Sequence, residues 1–181
     1  MDALEAILTR RSIRRYTTKS VSDDLIIKLL EAAMAAPSAA NEQPWHFVVI
    51  TDRKTLVQIP TFHPHAHMLK EAAAAILVAY DIELEGQKGR AVLDCSCASQ
   101  NMLLAAHALG LGAVWCGIYP VENRIMAMRK LLNMPQHVVP VSLISIGYPN
   151  EKPGREDRFK PERIHYEYWM SSHHRIIKKD K

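Results

Sequence analysis

This chain is poor in the residues that build covalent or metal scaffolds. Its three cysteines, Cys95, Cys97 and Cys116, are an odd number with no spacing of a disulfide framework. Cys95 and Cys97 stand two apart in a helical pattern, which points them to different faces. They read as small buried hydrophobes, not as a redox pair or a metal clip. The seven glycines form no Gly-x-Gly-x-x-Gly after a strand and no Walker A loop, which excludes the usual dinucleotide and P-loop nucleotide sites. No Gly-x-Ser-x-Gly elbow is present, and no convincing set of nucleophile, base and orienting group stands in its place. No apolar run approaches the ~18 residues of a membrane-spanning helix. The start, Met1-Asp2-Ala3-Leu4-Glu5, is acidic where a signal peptide is basic, so the expected compartment is the cytoplasm.

What is present is concentrated. Residues 10–15 read Arg-Arg-Ser-Ile-Arg-Arg, four guanidiniums and a hydroxyl directly after a short amphipathic helix over residues 3–8. Guanidinium is a planar fork of donors that matches phosphate and stays charged at ordinary pH. On a continued helix, Arg10 would share a face with Arg14, and Arg11 with Arg15. Such a run also suits a solvated face or a nucleic-acid contact. The net charge is +4, and much of the excess lies in this run and in Arg175, Lys178, Lys179 and Lys181. That distribution fits an anionic cofactor and a solvated tail better than an extended nucleic-acid surface.

A second stretch bears on the first. Pro37 stops the helix that begins after Ser22, whose apolar face is Leu25, Ile26, Leu29, Leu30 and Ala33. Ser38-Ala39-Ala40-Asn41 is then a small-residue loop that lets a ligand approach the backbone. Gln43-Pro44-Trp45 leads into a strand over residues 46–50. Asn41 and Gln43 serve equally well as turn-makers.

Together, Arg10-Arg11-Ser12-Ile13-Arg14 and the segment Pro37 to Trp45 resemble the signature of the flavin-dependent nitroreductase family. Three later stretches agree in order. Ser99 to Gly112 is similar to the family's long central helix and its glycine exit. Val114-Trp115-Cys116-Gly117-Ile118-Tyr119-Pro120 is similar to its flavin-facing loop. Ile146-Gly147-Tyr148-Pro149, with Lys152, Pro153 and Arg158, is similar to its last strand and tail. The likeness runs from about residue 4 to about residue 169. It implies FMN held at a homodimer interface, NADH or NADPH as hydride donor, and a ping-pong cycle ending on a nitroaromatic, quinone or related electrophile. It places Arg10, Ser12 and Arg14 on phosphate, ribityl and pyrimidine edge, with Arg11 assisting and Arg158 adding a phosphate contact. Pro37, Ser38, Ala39 and Asn41 would come from the second subunit. The backbone of Trp115, Cys116, Gly117 and Ile118 would lie along the ring near N5. The flavin itself would carry the chemistry, with no catalytic side chain.

The remaining chain predicts an α+β domain, since helices and strands mix without regular βαβ alternation. The implied fold is nitroreductase-like, a mostly antiparallel central sheet flanked by helices, with a C-terminal arm exchanged in a homodimer. The domain spans 1–169, of which 149–169 is the extended arm, and a basic tail occupies 170–181. Further elements are a short helix near 53–59, a buried strand at 76–80, and a long helix from Ala91 to Leu109 buried on most sides. After these come an extended segment at 113–118, a helix from Glu122 to Leu132 and a strand from Val138 to Ile146. His63, His65 and His67 alternate, as ligands on one face of a strand would, but Pro60 and Pro64 argue against a regular strand and no metal is expected there. By the resemblance, His67 falls near where family members often place a lysine facing the flavin, a departure from the family pattern. Cys116 lacks basic neighbours in sequence and is not expected to be a reactive thiol. Three other readings stay open: a narrower flavin reaction on the same fold (ene reduction, dehydrogenation, dehalogenation or flavin breakdown), a flavin-binding module without turnover, and a basic nucleic-acid-binding domain.

Overall fold

The computed structural model describes residues 1–154 and 156–169; the basic tail at 170–181 lies outside them. Among the described residues, five α-helices pack around one four-stranded sheet. The helices are α1 (Ala3–Thr9), α2 (Asp23–Met34), α3 (Arg53–Gln58), α4 (Ala91–Ala108) and α5 (Glu122–Leu132). The strands are β1 (Trp45–Ile50), β2 (Ala74–Asp81), β3 (Gly112–Gly117) and β4 (Val138–Gly147). The sheet order is β1-β2-β4-β3, with every neighbouring pair antiparallel. The α+β expectation holds.

Strand β2 reads Ala-Ala-Ile-Leu-Val-Ala-Tyr because it is central and covered on both faces. Its alternate residues divide two cores. Ala74, Ile76, Val78 and Tyr80 pack with α2 and α4. Ala75 and Leu77 pack with Leu56, Leu69, Ile125 and Met128 on the other side. The result is three layers: α2 and α4, the sheet, then α3, α5 and the turns of residues 59–72.

Pro140 inside β4 looks misplaced, because proline removes a ladder donor. The register shows why it is tolerated. Val78 pairs with Ser142 and Ala79 with Pro140, so Val141 is an extra residue, a bulge. Its carbonyl accepts the amides of Ile118 and Tyr119, each at 3.0 Å, and so fixes the chain leaving β3.

Several expectations need correction. Helix α2 ends at Met34, short of Pro37, with Ala35 and Ala36 in a turn. Helix α4 is buried or half-buried on most sides, as expected, with an exposed strip at Leu93, Cys97, Gln100 and Ala108. Leu93 is 62 % exposed. Cys95 and Cys116 are buried, but Cys97 is exposed, because a residue two positions beyond Cys95 leaves the buried face. The arm beyond Tyr148 forms one short 3₁₀ turn, Pro161–Arg163. It leaves Tyr168 and Trp169 75 % and 78 % exposed, with Trp169 stacked on His165. Among the described residues no helix is long and apolar enough to cross a membrane.

Candidate functional site

The arginine run does not continue α1. The helix ends at Thr9, and Arg10 turns to extended angles. Beyond it Ser12 forms a parallel bridge to Ala113 beside β3, and the Ile13 amide donates to the Ala113 carbonyl at 3.0 Å. Two buried side chains cause this. Ile13 and Tyr16 enter the core on the α5 side, and the Tyr16 hydroxyl donates to the Ile13 carbonyl at 2.7 Å. Their seats are glycines. A Cβ on Gly112 would meet Ile13 at 2.6 Å, and one on Gly147 would meet Tyr16 at 2.7 Å. Glu151 closes the clamp by accepting the amides of Arg14 and Arg15.

Extended chain undoes the helical stacking of Arg10 on Arg14 and of Arg11 on Arg15, and Ile13 and Tyr16, three apart, are the residues it buries. At ~3.3 Å per residue, Arg10 and Arg14 stand roughly 13 Å apart. Each faces its own cleft. Arg10, Arg11 and Arg158 line one of about 690 Å³ with Glu156, Asp157 and Phe159. Arg14 lines another of about 430 Å³ with His65, His67 and Trp115.

The first cleft sets three guanidiniums against two carboxylates. Burial, then Arg158, then Arg11 lower the pKa of Arg10 from its ordinary value. Among the described residues, Arg10, Arg11, Arg14 and Arg15 form no ion pair, whereas Arg158 has one to Glu156. Arg11 is partly structural, donating through Nε to the Gly154 carbonyl at 3.0 Å and through Nη1 to the Arg10 carbonyl at 2.7 Å. Its Nη2 is buried without a partner. The cleft thus carries one more guanidinium than carboxylates, a donor set whose geometry matches anions.

Along β3 the side chains alternate. Trp115 belongs to the Arg14 cleft, whereas Cys116 points into the core, its sulfur 3.8 Å from the His65 carbonyl and 3.9 Å from Met68 Sδ. Burial pushes the Cys116 thiol up to about 11, so it is inert. The Gly117 carbonyl is held twice, by His63 Nε2 at 2.8 Å and Arg124 Nη1 at 2.9 Å. Because His63 Nδ1 accepts the His65 amide at 3.3 Å, the ring carries its proton on Nε2 and donates it to Gly117. Ile118 is fully buried. The histidine segment is thus a brace and a cleft wall, which sequence spacing alone does not distinguish from a metal trio.

His63 gives a pH prediction. Burial and the nearby Arg124 depress its pKa, outweighing the Gly117 hydrogen bond that raises it. Below the ordinary value of 6.5 the unfolded chain takes up a proton that the folded chain refuses, so stability falls with falling pH until the lower folded value is passed. In His63→Gln this part of the acid loss is expected to disappear from thermal melts. An unchanged profile contradicts the brace.

Pro37, Ser38, Ala39 and Asn41 lie elsewhere; neither arginine cleft includes them within one chain. Their loop is strained, with positive φ at Ala40, Asn41 and Gln43, a region such residues rarely adopt. Asn41 Oδ1 accepts from Gln43 Nε2 at 2.9 Å, and Ser38 Oγ accepts the Gln43 amide at 3.1 Å. The Ala39 amide donates to buried Asp94 at 3.1 Å, whose second oxygen is unpartnered. These contacts hold the loop in its uncommon conformation.

With this geometry in view, the chain belongs to the nitroreductase family, whose model matches residues 7–67 and 63–148. A Methanothermobacter thermautotrophicus protein named "Putative NADH dehydrogenase/NAD(P)H nitroreductase" is 55 % identical over 169 residues, covering 93 % of this chain and 88 % of the relative. A crystal structure under the same name from Parabacteroides distasonis superposes with a TM-score of 0.88 at 43 % identity, covering 92 % and 98 % of the two chains. A Desulfovibrio desulfuricans protein described as "a putative nitroreductase in complex with fmn" gives a TM-score of 0.78 at 34 % identity over 92 % and 96 % of the two chains.

Proposed function

We propose that this protein is an FMN-dependent oxidoreductase that takes hydride from NADH or NADPH and reduces nitroaromatic, quinone or related electrophilic small molecules. The observation that carries the reading is the extended Arg10–Arg14 segment, which puts Arg10 and Arg11 with Arg158 on one cleft and Arg14 with Trp115 on another. The residues fit the cofactor. Arg10, Arg11 and Arg158 would hold its phosphate, Ser12 its ribityl chain, and Arg14 its pyrimidine edge, beside Trp115.

When bound, FMN supplies the hydride and electron transfer itself. The chain's part is electrostatic and geometric. Arg14 places a fixed positive charge where negative charge accumulates on reduction, which favours the reduced form. The backbone from Trp115 to Ile118, pinned by His63, Arg124 and the Val141 carbonyl, forms a rigid wall for the ring. No side chain in the cleft need act as nucleophile.

A homodimer completes the site in this reading. Pro37, Ser38, Ala39 and Asn41 of a second copy would cover the cofactor, and the exposed arm ending in Tyr168 and Trp169 would wrap the partner. Steady-state kinetics test the cycle. Initial rates against NADH or NADPH at several fixed concentrations of a quinone are expected to give parallel double-reciprocal lines, as a shared pocket used in turn requires. Converging lines would contradict it.

A further inference from the structure

A separate group of ligating side chains gathers at the end of the sheet where β1 begins, β2 ends and β4 begins. Asp81 closes β2, Glu83 follows in the turn, and His137 immediately precedes β4. One ligand atom from each lies within 4.8 Å of the others. His46 on β1 directs Nε2 to Asp81 Oδ2 at 4.0 Å, and His137 directs Nε2 to the same oxygen at 3.8 Å.

The scaffold is fixed by backbone. The Asp81 amide donates to the Pro44 carbonyl at 2.9 Å and the Ile82 amide to the His137 carbonyl at 2.9 Å. Asp81 Oδ1 accepts the Glu83 amide at 2.8 Å, which leaves Oδ2 to the imidazoles. Distances of 3.8 and 4.0 Å are too long for hydrogen bonds. They are close to what an ion between the groups imposes. With bonds of ~2.0–2.2 Å, tetrahedral zinc keeps its nitrogen and oxygen ligands roughly 3.3–3.5 Å apart. Between Asp81 and each imidazole a closure of about half an ångström would suffice, and the Asp81, Glu83 and His137 group as a whole, whose atoms lie within 4.8 Å of one another, would draw in by up to roughly 1.5 Å.

We propose that Asp81, Glu83 and His137, joined by His46, bind one divalent ion of the zinc type. Imidazole with carboxylate suits zinc, cobalt or nickel, whereas calcium and magnesium call for oxygen ligands throughout. The site shares no residue with the arginine clefts, so it does not depend on the flavin reading. Its effect is to tie three strands at one end of the sheet, and an ion bound only by the folded chain stabilises it by mass action.

Zinc titration calorimetry on FMN-loaded, tag-free protein cleared with EDTA tests this. One zinc per chain is expected at micromolar affinity, with a rise in Tm. His137→Ala and Asp81→Asn are each expected to weaken binding at least roughly tenfold, the lower end of the cost of losing even an outer partner of a metal ligand, and to abolish the Tm rise. The carboxamide oxygen introduced by Asp81→Asn can still accept the Glu83 amide, so the turn survives that change. No zinc uptake by the parent overturns the proposal. So does uptake that persists in both variants, or uptake lost instead in a His65→Ala/His67→Ala double variant.

Discussion

Replacing Arg10 with alanine is expected to give a folded protein that loses most of its FMN on purification. A hydrogen bond to a charged group is worth about 1.5–3 kcal/mol, so losing one charged fork raises the dissociation constant by roughly ten- to a hundredfold or more. Stability of the flavin-free protein should not fall. Arg10 makes no ion pair among the described residues and sits beside the like charges of Arg158 and Arg11, so its removal relieves repulsion. Arg158→Ala should cost less affinity, since Glu156 already engages that side chain. Equilibrium titration of apo-protein with FMN, read by flavin fluorescence, checks both. Unchanged affinity in Arg10→Ala and Arg14→Ala together would remove these side chains from the site.

Gly147→Ala is the second large effect, and it acts at a distance. The new methyl would fall 2.7 Å from Tyr16 Cδ1 and 2.9 Å from Cγ, inside a close-packed seat. Overpacking of this kind costs about 1–3 kcal/mol, and for a chain of this size each kcal/mol lowers Tm by about 2–4 °C. Because Tyr16 anchors the arginine segment, FMN affinity should fall with stability. Gly154→Ala, with nothing within 4 Å of its Cβ, is the packing control and should leave Tm unchanged. If Gly147→Ala lowers Tm but leaves FMN affinity intact, the anchor does not set the position of the arginines.

Local signals make much of the fold legible. The amphipathic period and the following Asn133 and Pro135 bound α5 from Glu122 to Leu132, and Asn133 adopts the left-handed cap. The apolar run in β2 announces a strand covered on both sides. What escapes the letters depends on contacts distant in sequence. Only the seats at Gly112 and Gly147 reveal that Arg10–Arg15 is extended, since helical spacing is equally present in the run. The Val141 bulge needs the partner strand to be seen, although Pro140 in a central strand is a signal. The role of His63 escapes the sequence: Pro60 and Pro64 argue against a metal trio, but only the fold shows one histidine spent on the Gly117 carbonyl and two lining the cleft.

Whether FMN is the cofactor is decided by the visible absorption spectrum of the purified protein, with its heat-released chromophore identified by chromatography. Two bands are expected, in the near-ultraviolet and the blue, from a chromophore that runs as FMN and bleaches on anaerobic addition of NADH or NADPH. A colourless protein that takes up no added FMN would contradict the assignment, and the arginine clefts would then belong to another anion.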